Sequence, residues 1–157
     1  MRTSHPFAPI YDANSRILIL GSFPSVRSRE NNFYYGHPQN RFWKLLARLY
    51  ETPIPETIEE KTSFLLQRGI ALWDVIASCE IENSSDQSIR NVILNDLDKI
   101  FELADIHAVF TNGKTADRLY RKYHGENACC LPSTSPANAA WSLDRLAAAW
   151  SVIMEEK

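Results

Sequence analysis

The sequence Arg16-Ile-Leu-Ile-Leu-Gly-Ser-Phe-Pro-Ser25 contains a short run of aliphatic residues that stops at Gly21. Such a run is typical of a buried β-strand that ends at the edge of a sheet, and we predict this strand over residues 16–20. A polar loop follows directly. In an α/β sheet, the loop at the carboxyl end of a strand is the usual place for a ligand, so this turn is the first candidate for a functional site.

The loop leads into an aromatic and polar segment, Phe33-Tyr-Tyr-Gly-His-Pro-Gln-Asn-Arg-Phe-Trp43. Apolar residues then recur at the spacing of an amphipathic helix, which we predict over residues 40–50. Rings, amides, an imidazole and guanidinium groups together suit a planar, hydrogen-bonding ligand on a phosphate backbone, which describes a nucleobase. The same residues also fit a structural role, with the rings as core anchors and Asn40 as the helix N-cap.

The size and composition of the chain indicate one globular domain over residues 1–157. Hydrophobic residues make up 45% and charged residues 23%, which is ordinary for a soluble protein. No apolar run approaches the roughly 18 residues of a membrane span. The first residues lack the basic-then-apolar pattern of a secretory leader. We therefore expect a cytoplasmic protein that does not contact membranes, and we expect it to be a monomer.

The cysteines do not indicate a metal site. Cys79, Cys129 and Cys130 are odd in number and lack the spacing of zinc ligands, which also argues against a disulfide framework. They are fewer than the four thiolates that an iron–sulfur cluster usually takes. We expect no metal and no other cofactor.

The net charge of −2 is not typical of a DNA-binding protein, but the basic residues are unevenly distributed. Arg27, Arg29 and Arg41 lie in and beside the first loop, and four more basic residues lie from Lys114 to Lys122. The acidic residues concentrate elsewhere. This segregation predicts one basic face that contacts phosphates, although such runs are also common on solvated helix faces.

Predicted strands and helices alternate along the chain, without repeats or linkers. This alternation implies parallel pairing and a three-layer α/β/α sandwich around a four-stranded central parallel sheet. We expect residues 1–15 to be an arm that packs on the domain and residues 78–89 to be a polar loop. The other predicted strands are 70–76, 106–111 and 127–131, and the other predicted helices are 57–68 (with a capping box from Thr57 and Glu60), 89–104, 114–124 and 139–156.

Two segments together carry a family resemblance. Gly21-Ser-Phe-Pro-Ser25 followed by His37-Pro-Gln-Asn-Arg-Phe-Trp-Lys44 resembles the uracil-DNA glycosylase superfamily. The most similar patterns are those of the deoxyinosine (hypoxanthine) DNA glycosylases and the mismatch-specific uracil-DNA glycosylases. The resemblance implies the same α/β/α fold and the same central parallel sheet.

The resemblance also implies a function. We expect a monofunctional glycosylase that flips a deaminated base out of double-stranded DNA and hydrolyses its N-glycosidic bond, with hypoxanthine as the first candidate base. The two motifs contain one lysine, Lys44, at the end of the second. We do not expect it to form a Schiff base, and we do not expect strand cleavage. The alternatives are excision of uracil or xanthine from mismatches, a nucleic-acid-binding module without activity, and a nucleotide hydrolase on the same scaffold.

Several residues are expected to bind the base. The resemblance implies that Tyr35 covers the flipped base, and that the backbone of Gly21, Ser22, Phe23 and Pro24 lines its pocket. An asparagine in mismatch-specific relatives, or an aspartate in another branch, positions the attacking water where this chain has Phe23. A phenylalanine can do neither, which puts ordinary uracil chemistry in doubt.

Asp74 interrupts an otherwise apolar predicted strand, at a position where relatives hold the asparagine that reads uracil. A carboxylate there would accept a hydrogen bond from an N–H group, such as N1–H of hypoxanthine, and if burial keeps it protonated it could also donate one. A buried carboxylate is unfavourable unless it is paired. The alternative is therefore a structural Asp74 that caps the next loop or pairs with an arginine.

Asn40 and His37 are the candidates for catalysis. Asn40 stands in the best-matched motif and could orient a water or stabilise charge on the departing base, in place of the group missing at Phe23. His37 could protonate the leaving base or contact a phosphate. Each also has a structural alternative, Asn40 as a helix cap and His37 as part of a stiff turn.

The segment Ser133-Thr-Ser-Pro-Ala-Asn138 aligns with the second motif of the family. Ser133 replaces the usual histidine or asparagine, and Ala137 replaces the leucine wedge that fills the gap left by the flipped base. Ser135-Pro136 could instead cap the last helix. The residues expected to contact DNA are Ser25, Arg27, Arg41, Ser133, Ser135 and Asn138.

Overall fold

A computed structural model describes residues 2–25, 28–29, 33–82, 86–125 and 127–155 of the chain. Within these residues, strands β1 to β7 are Arg2–Ser4, Ile17–Gly21, Ile70–Asp74, Ile76–Glu80, Arg90–Leu94, Ala108–Asn112 and Ala128–Leu131. Helices α1 to α5, as numbered here, are Phe42–Leu49, Ile58–Gln67, Asp98–Leu103, Lys114–His124 and Leu143–Trp150.

The predicted four-stranded parallel sheet is confirmed. Its strand order is β3-β2-β6-β7, and each neighbouring pair runs parallel. β2 has a partner on both sides and is buried along its whole length, which is why its sequence is a continuous aliphatic run rather than an alternating one. Because the strands are parallel, their carboxyl ends at Gly21, Asp74, Asn112 and Leu131 share one edge of the sheet.

A second, antiparallel sheet of order β1-β4-β5 was not predicted from the sequence. The prediction of one strand over 70–76 was wrong because the chain leaves the parallel sheet at Val75 and pairs elsewhere from Ile76. The predicted polar loop accordingly begins with a strand, β4. The predicted helix over 89–104 was also wrong in its first half, where β5 pairs with β4. The β-branched Val92 and Ile93 favour that strand, and sheet pairing outweighs the local helical spacing.

The N-terminal residues form the expected arm. β1 pairs antiparallel with β4, and Ile10 forms an isolated antiparallel bridge with Leu72. Between these two attachments the arm passes the carboxyl end of β3. The rings of His5 and Phe7 therefore pack into an aromatic cluster with Phe23, Phe33 and Tyr34.

Two helices follow the sequence signals closely: Thr57 and Glu60 form the predicted capping box of α2, and α4 has the predicted bounds. The predicted start of α1 was wrong, because the helix begins at Phe42 and Arg41, not Asn40, occupies its N-cap position. The last helix begins later than predicted, where Ser142 rather than Ser135 caps it by accepting from the N–H of Arg145. None of the helices in the described part of the chain is long and apolar enough to cross a membrane.

Candidate active site

The loops singled out by the sequence meet at the carboxyl edge of the parallel sheet. Gly21 ends β2 and lies beside Asp74, which ends the neighbouring β3. On the other side, Asn112 ends β6 and is hydrogen-bonded to Thr134 in the loop after β7. Thr134 in turn donates to Asn40 at the start of α1. These hydrogen bonds join the end of β6, the loop after β7 and the start of α1 at one edge of the sheet.

Asp74 is buried, with only 3% of its surface exposed. Its Oδ2 lies 2.8 Å from Nε2 of His5. Its Oδ1 accepts no hydrogen bond from any residue that the structure describes, and it points towards the α-carbon of Gly21. A Cβ at Gly21 would come closer than 3.0 Å to Oδ1, and 3.0 Å from the Tyr35 hydroxyl. Gly21 is thus required because the carboxylate and the tyrosine approach its backbone.

His5 is a part of the site that sequence reasoning missed. Both ring nitrogens make contacts at 2.8 Å, Nδ1 with the carbonyl oxygen of Phe7 and Nε2 with Asp74. The sequence suggested an arginine as a possible partner of Asp74, whereas in the structure the partner is His5. The signal that could have found it is the carboxylate itself, since a buried acid requires a polar partner and the chain contains few histidines.

Tyr35, which the resemblance implies covers the flipped base, places its hydroxyl near Gly21. Its backbone has φ of 54°, a left-handed conformation that is uncommon for a residue with a side chain and that concentrates at functional sites. Its partly exposed ring stacks on Phe42, with 4.1 Å between the ring centroids. Phe42 therefore holds the tyrosine ring in place from one side.

Phe23 and Pro24 are buried, and Phe23 belongs to the aromatic cluster rather than presenting a polar group to the cleft. The turn is held by its backbone, because the carbonyls of Gly21 and Ser22 accept from the N–H groups of Val75 and Ile76.

Burial, and to a smaller extent the nearby Asp74 carboxylate, raises the pKa of Tyr34 far above its ordinary value. Tyr34 thus stays protonated and donates to the carbonyl of Ala8.

Asn40 has a side-chain orientation that its contacts determine. Its Oδ1 accepts from the backbone N–H of Phe42 and from the hydroxyl of Thr134, each at 2.9 Å. A backbone N–H needs an acceptor, so the oxygen must face inward. The amide nitrogen, with two N–H donors, has no partner among the described residues. Asn40 therefore combines the predicted cap-like contact with free donors.

Thr134 and Asn112 complete this arrangement and were not singled out in the sequence. Thr134 is fully buried, and its hydroxyl accepts from the side-chain amide of Asn112 at 3.0 Å. Asn112 also accepts from the backbone N–H of Thr134. The two residues fix the loop after β7 against the end of β6 and so position the hydroxyl that holds Asn40.

Arg41 binds the second-motif loop, and its expected contact with DNA stays a prediction. Its guanidinium donates to the carbonyls of Ser135 at 2.8 Å and Asn138 at 3.0 Å, to that of Trp141, and more weakly to that of Thr134. With four carbonyls bound, few donors remain for a phosphate. Arg41 links the start of α1 to the loop after β7.

The other polar side chains of the second motif also stabilise that loop. Ser133 Oγ accepts from the backbone N–H of Ser135, and Ser135 Oγ accepts from that of Ala137. The side chain of Asn138 donates to the carbonyl of Ser133 at 3.0 Å. The proposed contacts of Ser133, Ser135 and Asn138 with DNA stay predictions, and these bonds shape the loop that would make them.

The remaining candidates in the first loop are placed as follows. Nδ1 of His37 accepts from the backbone N–H of Gln39 at 3.1 Å, which fits the alternative of a stiff turn. Nε2 is the ring nitrogen that this contact does not use. The Ser25 hydroxyl bonds to Ser28. The guanidinium of Arg29 lies over the Phe23 ring. Arg27 lies outside the described residues.

The described residues contain no cluster of three or more histidine, cysteine or acidic side chains that could hold a metal ion. Cys79 is buried, and the neighbouring Cys129 and Cys130 on β7 are exposed. The polar and aromatic side chains near the carboxyl edge of the parallel sheet include Asp74, His5, Tyr35 and Asn40.

The fold and the site define an α/β/α protein with one polar, ring-lined site at the carboxyl edge of its parallel sheet. The chain belongs to the uracil-DNA glycosylase superfamily, whose family model matches residues 8–154. This confirms the resemblance inferred from the two sequence motifs.

Two curated relatives and one solved structure are similar over much of the chain. The hypoxanthine DNA glycosylase of Methanosarcina acetivorans is 34% identical over 144 residues, covering 88% of this chain and 90% of the relative. That of Methanosarcina barkeri is 34% identical over 110 residues, covering 69% and 70%. A solution NMR structure from M. acetivorans, provisionally assigned as a uracil DNA glycosylase, has a TM-score of 0.80 and 30% identity over 98% of this chain and 99% of that one.

The close approach at Gly21 yields a stability prediction. We expect Gly21→Ala to lower the free energy of unfolding by about 1–3 kcal/mol, because the added Cβ forces the buried carboxylate of Asp74 to move. In an Asp74→Ala background, which lacks Oδ1, the same substitution should cost measurably less. Chemical denaturation of the four proteins measures this coupling. An equal cost in both backgrounds would show that Asp74 does not occupy the space beside Gly21.

Proposed function

We propose that this chain is a monofunctional DNA glycosylase that excises hypoxanthine from duplex DNA after flipping the deoxyinosine out of the helix. The observation that carries the proposal is Oδ1 of Asp74, an acceptor in a nearly fully buried side chain. It accepts no hydrogen bond from the described residues and lies beside Gly21, as the Tyr35 hydroxyl does. Hypoxanthine carries an N–H group at N1 that such an acceptor can bind. The activity named for the two Methanosarcina relatives agrees with this proposal.

Tyr35 supplies the surface on which the flipped base stacks. Its ring is held against Phe42, so the base can use the opposite side of the ring without displacing a core contact. Stacking of this kind contributes about 1–3 kcal/mol per base and tolerates any planar base. Selectivity must therefore come from the polar edge, where Asp74 lies.

Asn40 acts on the departing base. When the bond between C1′ and N9 breaks, its electron pair stays with the purine and the sugar becomes cation-like. The free N–H groups of Asn40 can donate to the negative charge that develops on the base. Its oxygen is already bonded to Phe42 and Thr134, so Asn40 is better suited to this role than to accepting a proton from water.

Water completes the reaction by adding to C1′ of the cation-like sugar and losing a proton to solvent. The resemblance implies that related enzymes position this water with an asparagine or an aspartate. Phe23 stands at that position here and provides neither an amide nor a carboxylate. A cation-like sugar reacts with water without a strong base. The geometry is therefore that of an enzyme that assists departure of the base more than attack by the nucleophile.

Duplex DNA is the proposed substrate, and the basic face remains a prediction. Lys114 and Arg118 are exposed at the start of α4, directly after the end of β6 and therefore at the rim of the site. Arg121 in the same helix is bonded to Asp117 and to the carbonyl of Ala128. The monomeric state and the cytoplasmic location also remain predictions.

The proposed activity is tested with a panel of duplexes that carry inosine, uracil, xanthine or adenine at one position. We expect single-turnover excision to be fastest for inosine, because its N1–H meets Asp74 and its purine ring covers Tyr35. We expect the product to be an uncleaved abasic strand. Faster release of uracil or xanthine would reassign the substrate, and no release of any base would indicate a binding module.

A second test separates the two roles of Asn40. We expect Asn40→Asp to fold like the parent, because a carboxylate oxygen still accepts from Phe42 N–H and Thr134, but to excise inosine about 10²–10³-fold more slowly because the donors are lost. Asn40→Ala should lose activity and about 1 kcal/mol of stability. Single-turnover rates and thermal melts measure both effects.

The matched control is Asn14→Asp, which makes the same change at an exposed turn near the amino end of β2. This control should match the parent in rate and melting temperature. Full activity in Asn40→Ala, with only the melting temperature lowered, would show that Asn40 is solely a cap-like residue.

A further inference from the structure

The N-terminal arm places a second titratable side chain behind Asp74. His5 Nε2 and Asp74 Oδ2 are 2.8 Å apart, and the two side chains are only 4% and 5% exposed. Two attachments hold the arm here, the pairing of β1 with β4 and the bridge from Ile10 to Leu72. The contact is thus part of the fold.

Hydrogen-bond partners determine where the protons of His5 lie. Nδ1 lies 2.8 Å from the carbonyl oxygen of Phe7, which can only accept, so Nδ1 carries a proton. The backbone N–H of Phe7 is 3.5 Å from the same nitrogen, which is beyond ordinary hydrogen-bond distance. His5 therefore directs an N–H towards Phe7 and its other nitrogen towards Asp74.

The contact between Nε2 and Oδ2 then also contains a proton. Either an imidazolium donates to a carboxylate, or a carboxylic acid donates to a neutral imidazole. In both arrangements the proton lies on the Oδ2 side of the carboxyl group. Oδ1 consequently presents only lone pairs towards Gly21 and Tyr35.

We propose that His5 is a positioning residue that makes Asp74 an acceptor-only reader of the base, and that this pair separates hypoxanthine from adenine. The inference rests on the proposed function and extends it from the activity to the origin of selectivity. No proton is transferred in this role, since the shared proton stays between His5 and Asp74 throughout.

The chemistry of the bases fits such a reader. Hypoxanthine has an N–H at N1, whereas adenine has a lone pair there, which would face the lone pairs of Oδ1. Uracil and cytosine differ in the same way at N3. An acceptor-only atom thus distinguishes hypoxanthine from adenine, and uracil from cytosine, which are the normal bases that these two come from. It does not separate hypoxanthine from guanine, which also carries N1–H, so that distinction requires contacts at C2.

The contact between His5 and Asp74 predicts that Asp74→Asn still prefers inosine. Beside neutral His5, the new amide should donate its N–H to Nε2 and keep its oxygen towards the base, because Nδ1 of His5 still bonds to Phe7. The preference for inosine should therefore survive. If His5 is also removed, the amide is free to rotate and can present N–H groups to the base.

The experiment measures single-turnover excision of inosine and adenine by the parent, Asp74→Asn, His5→Ala and the double variant. We expect the inosine-to-adenine ratio to change less than about threefold in Asp74→Asn and to fall by about ten- to a hundredfold in the double variant. The matched control is His107→Ala, which removes an exposed histidine paired with Asp105 before the amino end of β6. This control should behave like the parent.

Nitrogen-15 NMR of the parent tests the proton positions directly and does not depend on the variants folding. The chain has only four histidines, which simplifies assignment. We expect Nδ1 of His5 to be protonated and Nε2 to show the coupling of a shared proton. An unprotonated Nδ1, or a double variant with the ratio of Asp74→Asn, would overturn the inference. A parent protein that excises no base would overturn the proposed function. The NMR result would still test the proton positions in the contact between His5 and Asp74.

Discussion

The hydrogen bond between His5 and Asp74 is the interaction on which the arrangement of the site depends. An unpaired buried carboxylate would be strongly unfavourable, so Asp74 can lie buried at the end of β3 only because the arm brings a histidine to it. The pairing occupies Oδ2 and leaves Oδ1 beside Gly21, where only a residue without a side chain fits. The antiparallel sheet that holds the arm therefore contributes to the site although it contains none of the family motifs.

A second set of contacts fixes the opposite wall. Arg41 binds the carbonyls of the loop after β7, while Thr134 joins Asn112 to Asn40. These bonds use the oxygen of Asn40, while its N–H groups have no partner in the part of the chain that the structure describes. Asn40 also fixes Phe42 N–H, and the Phe42 ring supports Tyr35. The stacking surface and the donor group are thus positioned by the same short segment at the start of α1.

The features that depend on local pattern were predictable from the sequence, and those that depend on distant contacts were not. The aliphatic run before Gly21, the capping box at Thr57 and the helix from Lys114 follow from periodicity and end signals, and the structure has all three. β5 was predicted as a helix because its local apolar spacing is helical. Its pairing with β4 is a tertiary contact, which local spacing does not reveal. His5 lies 69 positions from Asp74, so no spacing rule connects them. Arg41 carries a charge typical of phosphate contacts, and only its four carbonyl partners reveal its structural role.

The central claim is that Oδ1 of Asp74 accepts a hydrogen bond from the imino N–H of the flipped base. The most direct measurement is a crystal structure of the protein with a duplex that contains an uncleavable 2′-fluoro-deoxyinosine. We expect N1 of hypoxanthine within about 2.7–3.2 Å of Oδ1, with the purine ring against Tyr35 and His5 still bonded to Oδ2. A bound base that turns another edge towards Asp74, or an Oδ1 bonded only to protein, would contradict it.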